Sequence, residues 1–206
     1  MPNQQEIVIT RDAEGKLSFP PVCITQSQTV FWRNEDSNGA HWPIIPPQPG
    51  VEPPGVAPRF QIGLGNTSDQ VQPYASAKQI EPGKEIDVAY GCKVNGHGAE
   101  KGIIKVVADF LPENIENDDV FNQLPDATAG QQYTPVPLTA GGRPPYRCTL
   151  SDATLPAGLQ VKAEARGIVV SGKPSQKGND FAFTVHCVDS LQNTIDQTYT
   201  IQVSKG

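Results

Sequence analysis

Short runs of alternating apolar and polar residues, separated by turn residues, recur along the whole chain. In the first half, Glu6–Thr10, Thr29–Arg33 and Gly102–Val107 are rich in β-branched and aromatic side chains, which favour strands. Gly102–Val107 is almost entirely apolar, which predicts a strand in the centre of a sheet. No stretch has the spacing of an amphipathic helix. The pattern therefore predicts an all-β protein.

The second half repeats this pattern at a regular interval. In Phe181–Cys187 the odd positions are apolar, so one face of that strand is expected to be buried. Short strands spaced by about 8–12 residues and separated by Gly and Pro turns are typical of an antiparallel sandwich. The predicted strands are Tyr133–Leu138, Tyr146–Leu150, Leu159–Val161, Ile168–Ser171, Phe181–Val188 and Thr198–Val203.

Composition and charge narrow the classes of function. The 206 residues include 19 Gly and 20 Pro, which suits many short strands and turns. A net charge of −6 argues against a nucleic-acid binder. No apolar run approaches the roughly 18 residues of a membrane span, and the first residues lack the features of a signal peptide. We expect either a cytosolic protein or a mature exported form with an added Met.

The acidic residues are concentrated between the two halves. Glu113, Glu116, Asp118 and Asp119 fall within ten residues that contain no Lys or Arg. Such a run is typical of a solvated linker, with a weak cation site as the other interpretation. We therefore predict a first domain at 1–110, a linker at 111–120 and a second domain at 121–206.

Histidines are rare in this chain, so the residues that could bind a metal ion are easy to locate. The chain has three, His41, His97 and His186, and His97 follows Cys92 by five residues in a short loop between two predicted strands. A thiolate and an imidazole on one such loop can converge on one ion. His41 follows the Thr29–Arg33 strand and would complete a His₂Cys set, which suits copper in electron transfer. His186 alternates out of the apolar face of its strand and is expected at the surface.

Three motifs follow one another in residues 6–107: Leu17-x-Phe19-x-Pro21-x-x-Ile24, then Thr29-Val30-x-Trp32-x-Asn34-x-Asp36 before His41, then Tyr90-x-Cys92-x4-His97-x2-Glu100-Lys101-Gly102. In this order they resemble a cupredoxin, the blue-copper domain. The resemblance implies a Greek-key β-sandwich, and His41, Cys92 and His97 as ligands of one mononuclear copper ion. A cupredoxin-like sandwich without metal is the other interpretation.

The chain departs from the cupredoxin pattern at the axial ligand. Relatives usually carry a Met a few residues after the second His, whereas the one Met of this chain is Met1. Glu100 occupies the matching position and is our candidate axial ligand. A carboxylate would favour Cu(II) and lower the reduction potential. Alternatively, Glu100 points to solvent and leaves a three-coordinate or water-ligated ion. Asn34 is a candidate for tying the two ligand loops together.

Two further cysteines lie on predicted strands of the second half. Cys148 and Cys187 either form a disulfide, if their strands are neighbours, or remain as reduced core thiols. The demanding geometry of a disulfide between adjacent strands favours reduced thiols.

Residues 121–206 carry a series of short turn and strand motifs: Leu124-Pro125, Gly141-Gly142-x-Pro144-Pro145-Tyr146, Leu155-Pro156-x-Gly158-Leu159, Gly167-Ile168-x2-Ser171-Gly172 and Phe183-x-Val185-x3-Asp189-Ser190. With these motifs the segment resembles the bacterial "putative Ig" domains, which are cadherin-like sandwiches of surface and secreted proteins. The resemblance implies a spacer, adhesion or interaction role without catalysis.

Together these features predict a non-enzymatic copper protein that transfers one electron, with an Ig-like domain that positions it on a redox partner protein or a surface component. The resemblances imply a periplasmic, secreted or cell-surface location. Copper sequestration or sensing is one alternative, and it is favoured if Glu100 closes the site. A metal-free adhesion or structural module is the other.

Overall fold

The chain was analysed as a computed structural model that describes residues 4–49, 57–74, 78–94, 96–97, 101–113, 115–117, 120–151 and 155–206. These residues form strands, turns and irregular segments but no helix, so the all-β prediction is confirmed. Accordingly, no helix among them is long and apolar enough to cross a membrane. The chain divides into two compact units, Met1–Ala108 and Asp109–Gly206.

The described residues of the first unit form two sheets. One sheet has the order β2-β1-β4 and the other β3-β7-β6-β5, with β1 parallel to β4 and β3 parallel to β7. The nearly apolar β7 lies inside its sheet, as its sequence predicts. The strands are β1 Gln4–Arg11, β2 Leu17–Ser18, β3 Val22–Thr25, β4 Thr29–Asn34, β5 Pro43–Ile44, β6 Glu85–Cys92 and β7 Lys101–Val107.

Alternation along the strands builds the core of this unit. On β4 every second residue is buried, so Val30, Trp32 and Asn34 all face inward. On β6 the same alternation buries Val88, Tyr90 and Cys92. On both strands the buried side chains continue to the last residue. The strand ends therefore place two polar groups, the Asn34 amide and the Cys92 thiol, at the edge of an otherwise apolar core.

In the second unit, the residues that the structure describes form three sheets and a short hairpin. A four-stranded sheet has the order β11-β18-β17-β14, a three-stranded sheet has the order β12-β16-β15, and β13 pairs with β8. The hairpin joins β9 and β10. The strands are β8 Leu111–Pro112, β9 Glu116–Asn117, β10 Val120–Phe121, β11 Ala127–Thr128, β12 Tyr133–Pro137, β13 Thr139–Ala140, β14 Arg147–Ser151, β15 Leu159–Glu164, β16 Gly167–Gly172, β17 Gly178–Val188 and β18 Thr194–Ser204.

The inward faces of these sheets form a second hydrophobic core. Phe183 on β17 and Tyr199 on β18 lie on paired strands with ring centroids 6.0 Å apart. The Tyr199 hydroxyl donates a hydrogen bond to the Leu138 carbonyl oxygen at 2.5 Å. That bond satisfies the one polar atom of a side chain that is otherwise buried among apolar groups.

Cys148 and Cys187 form a disulfide, so the prediction of reduced thiols was wrong. The two residues are direct partners in the antiparallel ladder of β14 and β17. Their Cα atoms are 4.2 Å apart, which brings the side chains of one face close together. The two cysteines face each other because they share one register position of this ladder.

The acidic stretch 111–120 falls within the second unit rather than outside both units. Leu111 and Pro112 pair with β13, and the Glu113 N–H donates to the Leu138 carbonyl oxygen at 2.9 Å. Just before this stretch, Phe110 is buried and its ring stacks on Tyr146, with centroids 5.5 Å apart. Backbone hydrogen bonds therefore make this segment part of the second unit, although its acidic side chains alone suggest a solvated linker.

Candidate metal centre

Three separate elements bring His41, Cys92 and His97 together. His41 forms a two-bond bridge with Ile62, since each backbone N–H donates to the other residue's carbonyl oxygen. Cys92 ends β6 opposite Pro43 on β5. His97 lies in the loop that follows β6, where its N–H donates to the Val94 carbonyl oxygen at 3.1 Å.

The three side chains present their ligand atoms to one another. The Cys92 Sγ atom lies 3.7 Å from the His41 Nδ1 atom and 3.5 Å from the His97 Nδ1 atom. All three atoms lie within 4.8 Å of one another, and the two imidazole centroids are 4.9 Å apart. His41 and Cys92 are buried, whereas His97 is partly exposed. The candidate site therefore consists of one thiol and two ring nitrogens at the end of a β-sandwich. His97 is the member of the site that solvent can reach.

The Cys92 thiol has a hydrogen-bond donor in the backbone. The Trp42 N–H lies 3.4 Å from the Cys92 Sγ atom, and the Lys93 N–H donates to the Trp42 carbonyl oxygen at 2.9 Å. The Trp42 indole N–H donates to the Pro58 carbonyl oxygen at 2.8 Å. The Lys93 ammonium lies 4.8 Å from the centroid of the same indole ring. Trp42 therefore joins the chain after His41 to the end of β6.

The edge of the His41 ring that faces away from Cys92 contacts a buried carboxylate. The Asp36 Oδ2 atom lies 2.9 Å from the His41 Nε2 atom, and both side chains are shielded from solvent. The Arg11 Nε–H donates to the Asp36 Oδ1 atom at 2.8 Å. Burial raises the pKa of Asp36, but hydrogen bonds from Arg11, the Asn38 N–H and His41 outweigh it and lower the pKa to about 2. Asp36 is therefore a carboxylate at neutral pH.

Asn34 organises the His41 loop. Its side-chain amide donates to the carbonyl oxygens of Gly39 and Ile62, both at 2.9 Å. Its own Oδ1 atom accepts from the Asp36 N–H at 2.8 Å. Asn34 thus ties the His41 loop to its bridge partner Ile62. These three bonds all lie on the His41 side of the site, whereas we expected Asn34 to connect the His41 loop with the His97 loop.

Sequence reasoning did not single out Asp36 as a partner of the site. It had appeared only within the motif before His41, without a role. A signal was present, because Asn34, Asp36 and Asn38 are short polar residues of the kind that bond to nearby backbone and turn the chain. Here such bonds run from Asp36 N–H to Asn34 and from Asn38 N–H to Asp36, and they turn the Asp36 carboxylate inward.

The expectations for Glu100 and His186 have different outcomes. The axial candidate Glu100 lies outside the described residues, so its role stays a prediction. His186 lies on β17, half-exposed, and its Nδ1 atom is 2.5 Å from Asp196 Oδ1 on β18. Within the described part of the chain, His41, Cys92 and His97 form the one group of at least three potential ligands that could hold a metal ion.

Comparison with solved structures gives only distant similarities. The titin Ig tandem domains A164-A165 share 9% identity at a TM-score of 0.37, and the alignment covers 82% of each chain. Human CDH23 EC21-23 shares 13% identity at a TM-score of 0.34, with 100% of this chain and 68% of that chain covered. An endo-fucoidan hydrolase of glycoside hydrolase family 107 shares 16% identity at a TM-score of 0.35 over 68% of this chain.

The TM-scores of these three comparisons are all below 0.5, so no function is inferred from them. The alignment to the fucoidan hydrolase spans only 20% of that protein. No curated protein sequence matches the chain. At the level of sequence families, residues 119–204 match the family described as "Putative Ig domain". The second unit therefore contains an Ig-like module, a type common in extracellular and surface proteins.

Proposed function

We propose that the first unit binds one copper ion through His41, Cys92 and His97 and transfers single electrons. The observation that carries the proposal is the convergence of two Nδ1 atoms on one Sγ atom, at 3.7 and 3.5 Å. One thiolate with two imidazoles is the ligand set of electron-transfer copper sites. The resemblance of residues 6–107 to cupredoxins supports the same interpretation.

The two sulfur–nitrogen distances suit a shared ion. Metal–sulfur bonds of about 2.3 Å and metal–nitrogen bonds of about 2.0 Å, set at about 110–120°, place sulfur and nitrogen roughly 3.5–3.8 Å apart. The distances from Cys92 to His41 and His97 fall at that separation. Each imidazole nitrogen is therefore separated from the Cys92 sulfur by the distance that a shared metal ion would give.

The surrounding residues would hold this ligand set rigid. Copper supplies the chemistry of one-electron exchange between Cu(I) and Cu(II). The chain fixes Cys92 by the ladder with β5 and by the Trp42 N–H, and fixes His41 by its bridge to Ile62. Fixed ligands limit rearrangement between the two oxidation states. His97 is partly exposed and is the ligand closest to an approaching redox partner.

The second unit would position the copper domain. Its Ig-like module suits contact with a surface component or a partner protein. The Cys148–Cys187 disulfide supports a periplasmic, secreted or cell-surface location, because such bonds persist mainly in oxidising compartments. Electrons would come from a reduced protein partner and leave to an oxidised one.

A copper titration of the full chain tests the proposal. We expect an intense thiolate-to-copper absorption band that saturates at one equivalent of Cu(II) and disappears in Cys92→Ser. Cys23→Ser is the matched control, because Cys23 is the other cysteine outside the disulfide. The copper hyperfine splitting in EPR, compared between the wild type and Glu100→Gln, tests the axial donor. Absence of the band, or a band that survives Cys92→Ser, overturns the proposal.

A metal-free adhesion or structural module is the second candidate. The family match favours it, since residues 119–204 match an Ig-like family. In that case, Cu(II) or Cu(I) leaves the thermal unfolding of the first unit unchanged. A copper-dependent rise in its unfolding temperature, absent in Cys92→Ser, contradicts this candidate.

A further inference from the structure

The carboxylate behind His41 has a role of its own. We infer that Asp36 is a positioning residue that keeps the His41 proton on Nε2 and leaves the Nδ1 lone pair facing Cys92. Its consequence for metal affinity rests on the proposed copper function, whereas the proton position is a property of the metal-free chain.

The orientation of the Asp36 carboxylate is fixed from two sides. Its Oδ1 atom accepts from the Arg11 Nε–H at 2.8 Å and from the Asn38 N–H at 2.9 Å. Its Oδ2 atom is thereby left for the His41 ring at 2.9 Å. The Asp36 backbone is held as well, because its N–H donates to the Asn34 Oδ1 atom. The group that faces His41 is therefore an oxygen and cannot rotate away without breaking these bonds.

An oxygen at this position determines the tautomer of a neutral imidazole. A carboxylate only accepts hydrogen bonds, so the His41 Nε2 atom must be the donor. The neutral ring then carries no proton on Nδ1, which is the atom 3.7 Å from the Cys92 Sγ atom. Bulk solvent does not reach this contact, because the side chains of His41 and Asp36 are both 0% exposed.

The same contacts predict the effect of replacing the Asp36 carboxylate with an amide of the same shape. In Asp36→Asn, the two donors Arg11 and Asn38 N–H retain the amide oxygen at the Oδ1 position. The amide NH₂ group is then directed at the His41 Nε2 atom. Since that nitrogen must now accept, the proton moves to Nδ1 and blocks the ligand lone pair. Partners of metal-binding histidines typically change metal affinity by 10–100-fold when they are removed.

Nitrogen NMR of the histidine rings tests the inference without metal. In the full metal-free chain at pH 8, we expect the Nε2–H tautomer for His41 and the Nδ1–H tautomer in Asp36→Asn. Glu35→Gln is the matched control, because it removes a neighbouring carboxylate that pairs with Arg33 rather than with His41. A wild-type His41 with its proton on Nδ1 overturns the inference, and this measurement needs no variant to fold.

Metal binding provides the second arm of the test. We expect Cu(II) to bind Asp36→Asn 10–100-fold more weakly than the wild type, with Glu35→Gln unchanged. Equal affinities and an Nε2–H tautomer in Asp36→Asn overturn the inference while leaving the copper function intact. If the wild type binds no copper, the proposed function fails, and the tautomers alone decide the role of Asp36.

Discussion

The backbone N–H of Trp42 lies 3.4 Å from the Sγ atom of Cys92. The donor belongs to the residue that follows His41 directly, and it reaches a thiol fifty positions further along the chain. Two candidate ligands from distant segments are therefore joined by one peptide group. Any movement of the His41 segment changes the hydrogen bond of the Cys92 sulfur.

If the first unit binds copper as proposed, the Trp42 N–H is expected to raise the reduction potential of that copper. Hydrogen bonds to the cysteine sulfur stabilise the thiolate charge and so favour the reduced metal. Trp42→Pro removes the N–H, whereas Trp42→Ala keeps it and removes the same indole ring. By voltammetry we expect a lower potential for Trp42→Pro than for Trp42→Ala. Equal potentials would show that this donor has no electronic effect.

A side chain at Gly102, where β7 passes the Tyr90 ring, is expected to destabilise the first unit. The two residues are partners in the β6–β7 ladder, and a Cβ atom at 102 would overlap the Tyr90 ring. Tyr90 is packed at 5.6 Å against Trp32, so it has little room to yield. Gly102→Ala should lower the free energy of unfolding by about 1–3 kcal/mol in denaturant titrations.

Gly39→Ala provides the control for that substitution. A Cβ atom at 39 meets nothing within 4 Å, so little change in the free energy of unfolding is expected. Similar losses for the two variants would mean that overlap with Tyr90 is not the cause.

The Cys148–Cys187 disulfide is expected to stabilise the second unit substantially. The two cysteines are 39 positions apart, and closing a loop of that length in the unfolded chain corresponds to about 4 kcal/mol in the chain-entropy model. Double replacement by Ala should therefore lower the free energy of unfolding by about 2–5 kcal/mol. Cys23→Ser, measured in the same denaturant series, should cost far less. A double variant as stable as the wild type would refute this expectation.

Acid should destabilise the metal-free first unit through Asp36. The folded chain lowers the pKa of this group from 3.8 to about 2. A lowered pKa contributes stability that is complete above about pH 4 and is lost as the pH falls towards 2, by about 2 kcal/mol in total. Urea titrations between pH 6 and 2 should show a smaller loss for Asp36→Asn, which cannot titrate. Equal acid sensitivity of the variant and the wild type would exclude Asp36 as the cause.

The strands were predictable from the sequence because local composition and alternation specify them. The apolar run Gly102–Val107 became an inner strand, and the predicted Phe181–Val188 strand extends to Gly178–Val188. The short strand Pro43–Ile44 was not predicted. Its partners Gly91 and Cys92 are 47 to 49 positions away in the ladder, and two residues with a proline carry no local strand signal.

The candidate site was predictable only where residue type and order carry the information. The motifs around His41, Cys92 and His97 suggested that these residues meet, and the structure places them together. The contact between Asp36 and His41 depends on how the intervening loop folds back through side-chain-to-backbone bonds. The disulfide depends on a register between β14 and β17 that alternation alone does not specify.

The disulfide also has a mechanical consequence. β14 is the outer strand of its sheet, and Cys148 fastens it covalently to β17. If the chain is stretched from its ends, the segment between the two cysteines cannot extend. At about 3.4 Å per residue, the 39-residue separation removes roughly 130 Å from the length that pulling can release. Under tension, an Ig-like module built in this way reaches its full extended length only after the disulfide is reduced.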